Sequence, residues 1–157
     1  MKVKIYGHIY ELNEQRIRDN FSLKELANNM GDALKPQFII DEQVDTFLDM
    51  LQEFRKWYNK PMVITSCYRQ PEFNKKVGGD SKSAHLHACA VDWQVKGHKE
   101  TQRTNVKNKW AEICKAHKVI GALNYYTNGY HLEAFSDKWY GQKEFAVRDY
   151  RGKSGDW

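Results

Sequence analysis

Two stretches decide how this chain reads: Ser83-Ala84-His85-Leu86-His87-Ala88-Cys89-Ala90-Val91-Asp92 and Gly129-Tyr130-His131-Leu132-Glu133. Cys89–Val95 reads as a strand with Asp92 at its middle. A carboxylate among Ala90, Val91 and Trp93 is costly to bury alone, and a metal or cationic partner removes that cost. Thr127-Asn128-Gly129 separates two apolar runs, Val119–Tyr126 and Tyr130–Phe135, and is a hairpin signal. His131 then falls just after the turn. Two imidazoles, His85 and His131, and the Asp92 carboxylate make a three-ligand zinc set with one position open. Structural zinc is normally closed by four protein ligands, so an open set is that of a catalytic ion. Such an ion generates hydroxide from water near neutral pH. The pattern implies a metal hydrolase.

Working outward, Val3 and Ile5 alternate with polar residues, which predicts a short strand or extended arm over residues 1–12. Asn20 and Ser22 are candidate caps for a short helix over Leu23–Met30, broken by Gly31-Asp32. Leu34–Ile40 reads as a linker around Pro36. Asp41 begins an amphipathic helix, with Val44, Phe47, Leu48, Leu51, Phe54 and Tyr58 at helical spacing, and Asn59-Lys60-Pro61 ends it. Met62–Ser66 is a strand by its β-branched content. Pro71–Val77 is a short helix with proline in its first turn, and Gly78-Gly79-Asp80 turns into the loop that carries His85. Glu100–His117 is a second long helix with Val106, Trp110, Ile113 and Cys114 on one face. Ser136–Trp157 is a tail of weak periodicity that either wraps the core or stays partly mobile. This order predicts an α+β fold, a small, mostly antiparallel sheet with helices on its outer face.

The first stretch resembles the Ser-x-His-x-x-Gly-x-Ala-x-Asp signature of the M15 zinc peptidases. These are carboxypeptidases, dipeptidases and L-alanyl-D-glutamate endopeptidases that cut peptidoglycan stem peptides, with a fold shared with hedgehog domains. Ser66-Cys67-Tyr68-Arg69 is similar to the family's Ser-x-Tyr-Arg, Pro71-Glu72-Phe73-Asn74 to its Pro-x-Tyr-Asn, and Val77-Gly78-Gly79 to its Val-Gly-Gly. Phe21-Ser22-Leu23-Lys24-Glu25-Leu26 resembles the N-terminal segment of phage and prophage members. The match runs from about residue 20 to about 136 of a single domain spanning 1–157, leaving 137–157 as a C-terminal tail. The resemblance implies Zn2+ held by His85, Asp92 and His131. It implies a peptidoglycan stem peptide as substrate.

Two departures stand out. Ala88 occupies a position where the family usually has Gly. Asn128 lies three residues before His131, where several members have a catalytic Glu or Asp, and Asn is no general base. Other members have an acidic residue two positions after this His, and Glu133 fits that pattern. Glu133 is therefore the expected general base, with Asp137 or His87 as alternatives. Arg69 is expected to bind the substrate's carboxylate or carbonyl and to stabilise the oxyanion, the alternative being an ion pair that fixes its loop. Ser83 is expected to orient the ligand loop or to hydrogen-bond substrate. His87 shares a face with His85 if that segment is extended, which makes it a second candidate for substrate contact. Trp93, Tyr125, Tyr126, Tyr130 and Trp139 either line a groove or pack the core.

With 157 residues and a net charge of +5, the chain suits one domain with its own core. Its basic balance suits an anionic wall, and it carries no nucleic-acid motif. Cys67, Cys89 and Cys114 are an odd, irregularly spaced set that predicts reduced, buried thiols rather than a disulfide framework. No signal peptide and no membrane span are legible. A wall-cutting protein of this kind is expected in the host cytoplasm until released, by a holin for example, or else in the virion. Two other readings compete. One is a non-catalytic zinc protein of the same fold that binds wall or builds the virion. The other is a cytoplasmic D-Ala-D-Ala dipeptidase, disfavoured by the missing Glu-x-x-His element.

Overall fold

The structure is a computed structural model that describes residues 2–5, 8–11, 16–27 and 38–157; for the strands at 2–5, 8–11 and 38–40 it describes the backbone pairing alone. In chain order the elements are β1 (Lys2–Ile5), β2 (His8–Glu11), β3 (Arg16–Arg18), β4 (Phe21–Ser22), α1 (Leu23–Leu26), β5 (Phe38–Ile40) and α2 (Glu42–Tyr58). Then come β6 (Val63–Ser66), α3 (Pro71–Lys76), a 3-10 turn (Ala84–His87), β7 (Ala90–Gln94), α4 (Glu100–Ala116), β8 (Gly121–Tyr126), β9 (Gly129–Ala134), α5 (Ser136–Tyr140) and β10 (Ala146–Asp149). The fold is α+β.

The main sheet has the order β10-β8-β9-β7-β6. Its inner pairs are antiparallel, and β10 joins β8 in parallel at one edge. Side chains alternate between faces along a strand, so register decides which residues share a face. One row crosses all five strands: Ser66 pairs with Asp92, Asp92 with His131, His131 with Asn124, and Asn124 with Arg148. The neighbouring row, Trp93, Tyr130 and Tyr125, faces the opposite way.

That second face carries the core. α2 presents Val44, Phe47, Leu48, Leu51 and Phe54, and α4 presents Val106, Trp110, Ile113 and Cys114, all buried. Phe54 lies 5.8 Å from Trp93 and 6.0 Å from Trp110 between ring centroids, both edge-on. Edge-on packing matches the positive rim of one ring to the negative face of the next. Asp41 caps α2 by accepting from the Val44 N–H at 2.9 Å, and Asn59 ends it in a left-handed conformation. With the helices covering this face, the row of polar residues is left on the other.

Several boundaries differ from those read in the sequence. Ser22 is the cap of α1, in a reciprocal capping box with Glu25, whereas Asn20 bonds Gln52 of α2 instead. Residues 28–30 of the expected helix lie outside the described residues. Phe38–Ile40, read as linker, forms β5 and pairs parallel with β1, and Arg16–Arg18 with Phe21–Ser22 forms a two-stranded ribbon. Gly129 is not part of the hairpin turn but the first residue of β9, paired with Tyr126. It is needed for close approach: a Cβ there would lie 2.3 Å from the Trp93 carbonyl oxygen and from the Trp157 ring. The tail wraps the sheet. Trp157 stacks on Tyr126 at 4.6 Å, its carbonyl accepts from the Asn128 N–H at 2.8 Å, and Asp156 accepts from the Thr127 N–H at 2.6 Å.

Candidate metal centre and its cleft

His131 and Asp92 meet because β9 and β7 pair them directly. His85 comes from the 3-10 turn that precedes β7. Ser83 caps that turn, its Oγ accepting from the His85 N–H at 3.3 Å. Ala88 closes it at φ 53°, ψ 30°, in the left-handed region. A side chain there is strained by about 1 kcal/mol, which accounts for the preference for glycine. Ligand atoms of His85, Asp92 and His131 all lie within 4.8 Å of one another, and all three residues are buried.

The segment after β6 braces the cluster. The Cys67 carbonyl accepts from His85 Nδ1 at 2.7 Å, and the Arg69 N–H donates to the His85 carbonyl at 3.0 Å. The Arg69 guanidinium donates to Ser66 Oγ at 2.9 Å and to Asp92 Oδ2 at 2.8 Å. Arg69 thus lines the cleft and at the same time fixes Asp92.

Hydrogen bonding shows whether these residues suit a metal. A carbonyl only accepts, so His85 Nδ1 carries the proton and Nε2 presents its lone pair. Nε2 is buried, has no hydrogen-bond partner among the described residues, and lies 3.1 Å from Asp92 Oδ2. A lone pair facing a carboxylate is repulsive unless a cation sits with them. Burial lowers the His85 pKa despite Asp92, so a proton is a poor candidate and a metal ion fits. Burial opposes ionisation of Asp92, yet the adjacent imidazoles more than reverse this and hold it well below the usual carboxylate range.

His131 has a carboxylate on each side. Nδ1 lies 2.7 Å from Asp92 Oδ1, and Nε2 lies 2.8 Å from Glu133 Oε2. Burial disfavours the imidazolium, but the hydrogen bonds to Asp92 and Glu133 raise His131 to about 9 without an ion. Glu133 is 1 % exposed, and its other oxygen accepts from Ser136 Oγ at 2.7 Å and Arg148 at 3.4 Å. Burial pushes Glu133 up, but His131, Ser136 and Arg148 bring it down to about 2.

A family model described as peptidase M15 matches residues 19–132, most of the chain. The chain belongs to the peptidase M15 family. A comparison with curated proteins finds none that matches. In this M15 chain the three metal-ligand candidates, Arg69, Ser83 and Glu133 all border one cleft of about 580 Å³.

His87 does not join them. The segment is a 3-10 turn and not a strand, so residues two apart diverge, and His87 stacks flat on Trp139 at 3.8 Å beside a separate cavity. Asp137 does not line the cleft either. Trp93 and Tyr130 are wholly buried and Tyr125 nearly so, while Tyr126 borders the cleft. The three cysteines are buried free thiols, and burial pushes Cys89 and Cys114 up to about 12.

Sequence reading missed Asp80, which it took only as part of a turn, and Asn124, Tyr140, Arg148 and Tyr150, which also line the cleft. Three of these lie in the tail. Arg148 lies on a four-residue edge strand, which gives almost no periodic signal. Among the described residues, no helix is long and apolar enough to cross a membrane.

Proposed function

We propose that this protein is a zinc peptidase that hydrolyses peptide bonds in peptidoglycan stem peptides, as a phage or prophage wall hydrolase released to the wall or carried in the virion. The observation that carries the reading is the unpartnered Nε2 of His85 facing Asp92 in a buried His–Asp–His cluster, at a cleft large enough for a short peptide. His85, Asp92 and His131 would hold the ion, and two imidazoles with one carboxylate suit zinc. When bound, zinc supplies Lewis acidity toward water and the scissile carbonyl.

The remaining roles follow from position. Glu133, buried against His131, holds that imidazole in one tautomer, as carboxylates behind metal-bound histidines do. It is therefore poorly placed to take a proton from water. Of the carboxylates that border the cleft among the described residues, Asp80 is the one that remains: it is exposed, and its Oδ1 accepts the Lys82 N–H. We assign proton transfer to Asp80. Arg69 holds Asp92, and its spare N–H groups are available to a substrate oxygen.

The test is incubation of zinc-loaded protein with defined muropeptides, products being read by mass spectrometry with and without a chelator. Chelator-sensitive cleavage supports the peptidase and identifies the bond. The engagement of both Glu133 oxygens, with Asn128 in the turn, favours a second reading, a non-catalytic zinc protein that binds wall or builds the virion. Intact substrates from folded, zinc-loaded protein would establish that reading instead.

A further inference from the structure

The row across the sheet does not end at the metal ligands. Asn124 on β8 follows His131, and Arg148 on β10 follows Asn124. Strands lie about 4.8 Å apart, so Arg148 starts two strands from His131 on the same face. β10 also lies beyond the residues that the family model matches.

The Arg148 guanidinium is held in place. It donates to Asn124 Oδ1 at 3.1 Å, to Gln142 Oε1 at 3.1 Å and to Glu133 Oε1 at 3.4 Å, and it lies 5.4 Å from the centre of the Tyr140 ring. These contacts use three of the five N–H donors of an arginine. The side chain is 30 % exposed and borders the cleft. Among the described residues its one acidic partner is Glu133, at 3.4 Å and shared, because Glu133 is already bonded to His131 and Ser136. Once a divalent ion joins Arg69 and Arg148, positive charge outweighs Asp80, Asp92 and Glu133 in this cleft. A guanidinium held in place, with its Nε–H and one Nη1–H unengaged among the described residues and its charge incompletely compensated, can receive a carboxylate through single charge-assisted hydrogen bonds.

We propose that Arg148 binds a free carboxylate of the peptide substrate, about one or two residues along the peptide from the bond that is cut. This rests on the stem-peptide reading above, and it makes Arg148 a determinant of which acidic peptides are accepted.

The experiment uses an L-Ala-D-Glu-L-Lys-D-Ala-D-Ala pentapeptide and two amidated forms, one at the D-Glu α-carboxylate and one at the C-terminus. KM and kcat are measured for zinc-loaded wild type, Arg148→Gln and Arg148→Lys, with circular dichroism and zinc affinity as folding controls. The expected result is that one amidation raises the wild-type KM about tenfold or more. Arg148→Gln raises KM for the free acid to the same level and is indifferent to that amidation. Arg148→Lys keeps part of the preference. A purely structural Arg148 would not produce selective indifference to one carboxylate. If wild type cleaves all three peptides equally, or Arg148→Gln keeps the preference, the Arg148 assignment is overturned while the peptidase reading stands. If wild type neither cleaves nor binds any of them, both fall together.

Discussion

Replacing Glu133 with Gln separates the two roles that this carboxylate has been given. Glu133 Oε2 sits 2.8 Å from His131 Nε2, while Nδ1 of the same ring faces Asp92 at 2.7 Å. The carboxylate therefore selects the tautomer with hydrogen on Nε2 and a lone pair on Nδ1, the form that can bind a metal through Nδ1. A Gln carbonyl facing Nε2 keeps that tautomer but lacks the charge. Its NH2 group then meets Arg148, which only donates. If the amide flips to avoid this, its NH2 faces Nε2, and the favoured tautomer places the proton on Nδ1 against Asp92. Loss of such a partner weakens metal affinity about 10- to 100-fold, or roughly 1.4 to 2.7 kcal/mol. The lower figure applies to the first orientation, the higher to the second. The assay is a competition titration of zinc against a chromophoric chelator, with circular dichroism to verify folding. Asp80→Asn is the control and should leave zinc affinity unchanged while kcat falls about 100-fold or more. A Glu133→Gln protein with wild-type zinc affinity and a collapsed kcat would refute the reasoning and return the general base to Glu133.

Other outcomes follow from the same contacts. Without metal, the stability that His131 contributes is complete below its ordinary value of 6.5 and lost as pH rises through about 9, and that of Glu133 is complete above 4.5 and lost as pH falls through about 2. The His131–Glu133 contribution to chelated protein is thus complete between about pH 4.5 and 6.5, where the buried His85, its pKa lowered, works against it. The melting temperature of chelated protein should fall as pH rises from 6.5 to about 9, whereas zinc-loaded protein should hold its melting temperature above 6.5. A flat profile for chelated protein from neutral pH to pH 9 would contradict this. Gly129→Ala drives a Cβ to 2.3 Å from the Trp93 carbonyl oxygen, and a denaturant melt should show a loss of about 3 kcal/mol. Arg69→Lys cannot span Ser66 Oγ and Asp92 Oδ2 with one rigid fork. Its kcat/KM should fall about tenfold, and an unchanged value would mean that Asp92 needs no such support.

What the sequence revealed and what it hid divide along a physical line. The long helices were legible because seventeen residues of 3.6-fold periodicity and a capping Asp41 leave little room for another reading. His85, Asp92 and His131 were picked out by the spacing they share with the M15 signature, and the structure brings their side chains within 4.8 Å of one another, a group that could hold a metal ion. Glu133 was picked out because some family members have an acidic residue two positions after this His; its contact with His131 Nε2 was not legible, because a carboxylate two residues along a strand can turn toward the imidazole or toward the open cleft. His87 was misplaced by assuming an extended segment where Ala88 in a left-handed conformation closes a 3-10 turn.

Arg148 marks the limit of local reading. Four residues, Ala146 to Asp149, carry no helical or strand signature of their own, and their partner strand lies more than twenty residues earlier. Only register turns Arg148 into a neighbour of Asn124, and so of His131. The same register explains why the site lies where it does. Helices α2 and α4 need the aromatic row of Trp93, Tyr130 and Tyr125, which commits every alternate residue of β7, β8 and β9 to the opposite face. Asp92, His131 and Asn124 occupy those positions. Packing the core thus aligns the polar row, and each edge of the sheet then brings one arginine to it, Arg69 just after β6 and Arg148 on β10. An insertion of one residue in β9 would exchange His131 with an apolar neighbour, so the His–Asp–His cluster and the aromatic core should be lost together in such a variant.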